Sequence, residues 1–150
     1  MTGEQPTGTG PRPSVPLSEP FYGASIGTAW SRFWKKYATF TGRASRSEFW
    51  WWFLIQYVVA GILTTAYLLV GLNSQPAGDA LGVLIYLIFA VWSVATVIPT
   101  IALHFRRLHD ANRSAGWIFI VLVPFIGGII LIVLLILPAN RAGERFDFHT

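Results

Sequence analysis

Trp50 to Leu72 reads WWWFLIQYVVAGILTTAYLLVGL, with no Asp, Glu, Lys or Arg, and this run limits the possible folds more than any other feature of the chain. Wound as an α-helix at 1.5 Å per residue it covers about 34 Å. That length crosses a hydrocarbon core of about 30 Å with slight tilt. Two more apolar stretches follow, Leu81 to Leu103 and Trp117 to Leu137. A water-soluble fold of 150 residues has too little interior to hide a composition that is 53% hydrophobic and only 12% charged. The three stretches are therefore expected to be transmembrane helices over 50–72, 81–103 and 117–137.

Between the stretches, Asn73 to Ala80 (NSQPAGDA) reads as a turn and His104 to Gly116 (HFRRLHDANRSAG) as a charged loop. Pro99 removes one backbone hydrogen bond from the second stretch and predicts a kink, with Thr96 or Ser93 placed to satisfy the freed carbonyl. Pro124 and the pair Gly127 and Gly128 interrupt the third. Met1 to Pro20 is rich in Pro, Gly, Thr and Ser, cannot repay the entropy of ordering, and reads as a disordered tail over 1–20. It lacks the apolar core of a signal peptide, so the first apolar helix is expected to act as an uncleaved anchor. Residues 138–150 form a short polar tail, and 21–146 the membrane domain.

A different pattern occupies about 25–40. Ile26, Ala29, Trp30, Phe33, Trp34 and Tyr37 fall at i, i+3, i+4, i+7, i+8 and i+11, one apolar stripe, while Arg32, Lys35 and Lys36 fall opposite. With Ser25 as N-cap, this amphipathic helix is expected to lie in the membrane interface. The alternative is a helix packed on protein. No internal repeat is visible, so an inverted-repeat transporter cannot be assembled within one chain, although a homo-oligomer could build one.

Charge sets the expected orientation. Of eleven Lys and Arg, six precede the first span, three lie between the second and third, and two lie in the tail; Asn73 to Ala80 has none. Cationic segments resist translocation, which puts the N-terminus and the RRLHD loop in the cytoplasm. Three spans would then put the tail outside. The net charge of +4 is accounted for by orientation and contact with anionic lipid headgroups, and no nucleic-acid partner is expected. Cysteine is absent, which removes disulfides and thiolate metal sites.

Two charged motifs border the spans: FTGRASRSEFWWW (Phe40 to Trp52) and RRLHDANRSAGW (Arg106 to Trp117). With VPFIGGII in the third stretch and a closing PANRAGERF, the chain resembles the small bacterial inner-membrane proteins of domain of unknown function 805. The likeness covers Ala29 to Phe146 and carries over Gly42, Arg43, Arg46, Glu48, Trp50, Arg106, Arg107, Leu108, His109, Asp110, Arg113, Ser114 and Trp117. It departs at the end, where the family tends towards N-R-[FY]-G and this chain has Glu144-Arg145-Phe146-Asp147. The resemblance implies a bacterial cytoplasmic membrane and no defined activity.

Chemistry must then come from the residues. His109 and Asp110 beside Ser114 invite a hydrolase triad, but adjacent residues on a helix point about 100° apart, and a triad needs His between its two partners. His104, His109 and His149 match no usual zinc spacing. Neither a catalytic residue, a metal nor a cofactor is expected, and no enzyme activity. Transport through a small oligomeric transporter or channel is the alternative: the broken third stretch favours it, the lack of ionisable groups in any span opposes it, and Gln56, Thr64, Thr65, Ser93, Thr96 and Thr100 are the polar candidates. The leading reading is an all-α integral membrane protein whose cytoplasmic face, Arg43, Arg46, Glu48, Arg106, Arg107, His109, Asp110 and Arg113, meets anionic lipid or a membrane or cytoplasmic protein partner. Glu48 is expected to pair with Arg106 or Arg107, and Asp110 with Arg43 or Arg46, with His109 at the edge of the cluster.

Overall fold

The structure, a computed structural model, describes residues 15–17, 19–72 and 76–147. The described residues are helical, with no strand. Most of the expected tail over 1–20, the first three residues of the expected turn over 73–80, and His149 lie outside the described residues; from Pro76 on, that turn is already helix. What is described of that tail is held in place: the carbonyls of Val15, Pro16 and Glu19 accept hydrogen bonds from Arg32.

Helix α1 runs Ile26–Lys35 and is capped by Ser25, whose hydroxyl accepts from the Thr28 amide at 3.3 Å. Helix α2 runs Arg46–Leu72. Its start is a reciprocal cap: the Ser45 hydroxyl accepts from the Glu48 amide at 3.2 Å while the Glu48 carboxylate accepts from the Ser45 amide at 3.0 Å. Two amides at the helix start are thereby satisfied. Helix α3 runs Pro76–Asp110, so the RRLHD motif forms its last turns rather than a loop. It continues as helix through Pro99. The carbonyl that Pro99 frees is that of Ala95, four residues back, and it accepts from the Tyr37 hydroxyl at 2.9 Å. Thr96, expected in that role, instead donates to the Trp92 carbonyl at 2.9 Å.

The third apolar stretch is not one helix. Ala115–Leu122 is a 3-10 helix capped by Ser114, and Gly127–Ile136 is an α-helix, α4. Between them Pro124 cannot donate and Phe125 sits at φ 66°, in the left-handed region, so the helical path breaks. The two arms pack back on each other. A Cβ on Gly127 would stand 1.9 Å from the Ile120 carbonyl oxygen, a contact only glycine permits. Each arm is about 15 Å long, half a hydrocarbon core. Both ends of the hairpin meet the C-terminal end of α3, where Arg107 donates to the Leu135 carbonyl at 2.9 Å and the Asn140 amide to the Asp110 carbonyl at 2.8 Å. Over 117–137 the chain therefore forms a hairpin of two short arms in place of one continuous helix. Two helices, Arg46–Leu72 and Ala80–Asp110, are long and apolar enough to cross a membrane, and Gly127–Ile136 is a shorter apolar helix.

The core lies at one end. Phe33, Ala44, Phe49, Trp52, Leu103, Leu108, Leu131 and Leu135 are buried together, and Trp30, Trp34 and Trp92 pack edge-on or stacked around them. Beyond this end α2 and α3 leave Tyr57, Ile62, Leu72, Val91 and Val94 between 63% and 82% exposed. Two interhelical hydrogen bonds join them, Trp52 to Thr100 at 3.3 Å and Trp92 to Gln56 at 3.1 Å. Gln56 and Thr100, candidates for a polar path, thus link helix to helix. An apolar surface on both helices is stable against lipid, not water.

Candidate functional site

The two charged motifs converge at the packed end. The Ala44 amide donates to the Arg106 carbonyl at 3.0 Å, and the His109 ring meets the Gly42 carbonyl at 3.2 Å. Around these contacts the charged side chains fall into three groups, most of them turned inward.

The first surrounds Glu48. Its Oε1 pairs with Arg32 Nε, and the two side chains are nearly inaccessible. Arg32 was expected to face lipid phosphates. It is enclosed because α2 packs on α1 and the carbonyls of Val15, Pro16 and Glu19 close over the guanidinium. The amphipathic stripe thus belongs to a helix packed on protein, although Ile26, Trp30 and Lys35 remain exposed. Lys36 is buried as well, and burial pushes its ammonium down to about 7, against the opposing pull of Glu48 and with Arg106 and Arg32 adding to the depression. Arg106 donates Nε to the Ala102 carbonyl at 3.2 Å and forms no ion pair with Glu48. The expected Glu48 partnership with Arg106 or Arg107 is therefore corrected to Arg32, which α1 delivers across the start of α2.

The second group surrounds Asp110. Arg107 Nη1 lies 2.6 Å from Oδ2, with both side chains fully buried, and the Tyr22 hydroxyl donates to Oδ1 at 2.8 Å. Residues three apart on a helix are neighbours, so Arg107 reaches Asp110 before Arg43 or Arg46 can, and the expected Asp110 pairings with those two do not form. The same guanidinium donates to the carbonyls of Leu135 and Leu137, closing the C-terminus of α4 with a cation as the helix dipole favours. Tyr22 is raised to about 12 by burial and by its bond to Asp110.

The third group brings in the tail. Residues Arg141–Phe146 form a short 3-10 helix. Phe146 stacks on His109 with ring centroids 4.1 Å apart, its carbonyl accepts from the Gly42 amide at 2.9 Å, and Asp147 takes Arg43 with contacts of 2.7, 2.9 and 3.0 Å. Burial acts most strongly against the Arg43 charge, but the bond to Asp147 together with the charges of Asp147, Tyr22 and Asp110 outweighs it and holds that guanidinium above its ordinary value. Gly143 lies so close that a Cβ there would stand 2.3 Å from the His109 carbonyl oxygen. The tail therefore sits at the RRLHD end, not at the opposite end where three spans would have put it.

Of the eight residues singled out from sequence, Glu48, Arg106, Arg107, His109 and Asp110 are buried, Arg43 is half-buried, and Arg46 and Arg113 are exposed. Sequence reading did not find Arg32, Tyr22, Phe146 or Asp147 as their partners. The Ser45 and Glu48 cap had a legible signal, Ser-x-x-Glu ahead of an apolar run. His109 and Asp110 have separate partners and form no triad with Ser114. Among the described residues no group of three His, Asp or Glu gathers as a metal site.

With that geometry in view, comparison with known proteins gives the family. Residues 37–148 match the protein of unknown function family DUF805. The chain belongs to that family. Inner membrane protein YhaI of Escherichia coli strain K12 is 36% identical over 112 residues, 75% of this chain and 86% of that protein. Inner membrane protein YhaH of the same strain is 37% identical over 112 residues, 75% of this chain and 87% of that protein. No solved structure matches. The DUF805 segment takes in both charged motifs, α2, α3, the hairpin and the tail, but begins after Lys36. Arg32 and Lys36, two of the cations around Glu48, therefore lie outside it.

Proposed function

We propose that this DUF805 protein is a non-enzymatic, multi-pass component of the cytoplasmic membrane, with its N-terminus and C-terminal tail both cytoplasmic, that engages anionic surface through a basic rim. The observation supporting this is how burial sorts the cations. Arg32, Lys36, Arg106 and Arg107 are buried, while Lys35, Arg46, Arg113, Arg141 and Arg145 are exposed at the packed end. The rim thus differs from the cluster read off the sequence: the buried arginines leave it, and the tail contributes two. Concentrated cations at one end favour the cytoplasmic side, and each contributes on the order of 1 kcal/mol near an anionic leaflet.

Tryptophan fluorescence in liposomes tests this directly, because Trp50 and Trp117 border the rim. Brominated phosphatidylglycerol should quench the protein more than brominated phosphatidylcholine. Replacing Arg46, Arg113, Arg141 and Arg145 by Gln should remove the difference. Equal quenching of the unaltered protein by both lipids would dismiss the rim as a lipid contact and leave a protein partner as its occupant. A second reading, an oligomeric transporter or channel, draws on the hairpin, whose tip at Phe125 is 97% exposed and whose arms reach only half-way through a bilayer. Solute flux in proteoliposomes would favour it.

A further inference from the structure

Where α1, α2 and α3 meet, the buried charges do not balance. Arg32, Lys36 and Arg106 are 6%, 3% and 2% exposed, and the carboxylate among them, Glu48, is 4% exposed. Three cations thus face one anion. Both oxygens of Glu48 are engaged, one by Arg32 and the other by the Ser45 amide. Arg32 is also satisfied by three backbone carbonyls. The unbalanced charge therefore rests on the other two. Arg106 uses Nε on Ala102, and its Nη2 is buried without a hydrogen-bond partner. The next carboxylate acting on Lys36 is Asp147, which is committed to Arg43.

Buried cations without a counter-charge are costly, and a buried guanidinium nitrogen with nothing to donate to is rare in native proteins. Loss of a proton from Lys36, which burial favours, would remove one charge but give Arg106 Nη2 no acceptor charge. An oxyanion answers both needs, since a guanidinium presents paired donors that fit phosphate oxygens and an ammonium adds a point charge. We propose that Lys36 and Arg106 form a binding site for a phosphate-class oxyanion, presented as the headgroup of an anionic phospholipid or as free inorganic phosphate. The site lies close beneath the surface, since Lys35, Ala38, Phe40 and Thr41, which flank Lys36 in sequence, are exposed. None of the exposed rim arginines takes part, so the site stands apart from the lipid contact proposed above. The charged groups facing Lys36 are Glu48, Arg106, Arg32 and Asp147, and an anion bound there holds its proton on. Binding should accordingly weaken as pH rises above neutrality.

The full chain, purified in non-ionic detergent without phosphate, is followed by thermal unfolding and native mass spectrometry. It is titrated with sodium phosphate, short-chain phosphatidylglycerol, short-chain phosphatidylcholine or sodium chloride at matched ionic strength. Phosphate or phosphatidylglycerol should raise the unfolding temperature saturably by a few degrees, with a bound mass retained, and chloride and phosphatidylcholine should not. A response to phosphate identifies the free ion as sufficient; a response to phosphatidylglycerol alone identifies the headgroup. Lys36→Gln and the charge-conserving Arg106→Lys should each weaken binding by on the order of tenfold. Unchanged binding in both variants would overturn the site. So would a wild-type protein indifferent to every ligand; a Lys36→Gln protein more stable than that wild type would then assign the relief of charge to deprotonation.

Discussion

Replacing Glu48 by Gln removes the one carboxylate that faces Arg32, Lys36 and Arg106 while leaving the shape of the site almost unchanged. The new amide oxygen can still accept from the Ser45 amide, so the α2 cap survives. What is lost is the charge. The Arg32 and Glu48 side chains are 7% and 4% exposed, and removing one partner of a buried ion pair typically costs about 3–5 kcal/mol. That is a large share of the about 5–15 kcal/mol that stabilises most folds. Arg32→Gln should cost less, because Glu48 keeps Lys36 and Arg106 nearby. In a double-mutant cycle, measured by unfolding in mixed micelles of non-ionic detergent and dodecyl sulfate, the pair should show coupling of about 2 kcal/mol. Glu48 with Arg107 should instead be additive within about 0.5 kcal/mol, because Arg107 belongs to Asp110. Additive losses for Glu48 and Arg32, or strong coupling between Glu48 and Arg107, would refute the pairing.

Gly127→Ala should destabilise by about 3 kcal/mol or more, since the Ile120 carbonyl cannot move without opening the hairpin, whereas Gly128→Ala, which meets nothing, should change thermal stability by less than about 0.5 kcal/mol. Equal effects would mean the arms do not touch. Lys36 binds its proton less tightly folded, at about 7, than unfolded, near 10.5, so the unfolded chain carries more protons between those values. In phosphate-free buffer stability should therefore rise as pH increases from about 7 towards 10.5. Lys36→Met should flatten that rise in denaturant titrations across the same range; a rise that persists would assign it to another group.

How much of this was legible in the sequence depended on whether the cause was local. The first two apolar runs announce themselves because an uncharged helix of that length has one stable environment. The α1 stripe was equally plain, yet a helical wheel cannot show that a second piece of chain covers the polar side, and so Arg32 was turned the wrong way. Reading HFRRLHD as a loop followed charge density. The helix in fact continues through that motif, where Arg107 finds Asp110 within one turn. Pro124, Gly127 and Gly128 marked a break, but the fold-back rests on the left-handed Phe125 and on the approach of Gly127 to Ile120, both tertiary facts. The partner of the Ala95 carbonyl came from Tyr37, 58 positions away, where local reasoning offered only Thr96 and Ser93. The Ser45 and Glu48 cap shows the reverse case, a local signal present in four residues.

The central structural claim is that the hairpin returns the chain to its starting side, so the tail and the first charged motif share one face of the membrane. The chain has no cysteine, so single cysteines can be placed at Thr41, Ala142 and Leu72, all exposed, without altering a background. Labelling with a membrane-impermeant maleimide, compared between spheroplasts and inverted vesicles, reads the side of each. Thr41→Cys and Ala142→Cys should both react in inverted vesicles, and Leu72→Cys in spheroplasts. Ala142→Cys reacting in the same preparation as Leu72→Cys would restore a third full span and contradict the hairpin.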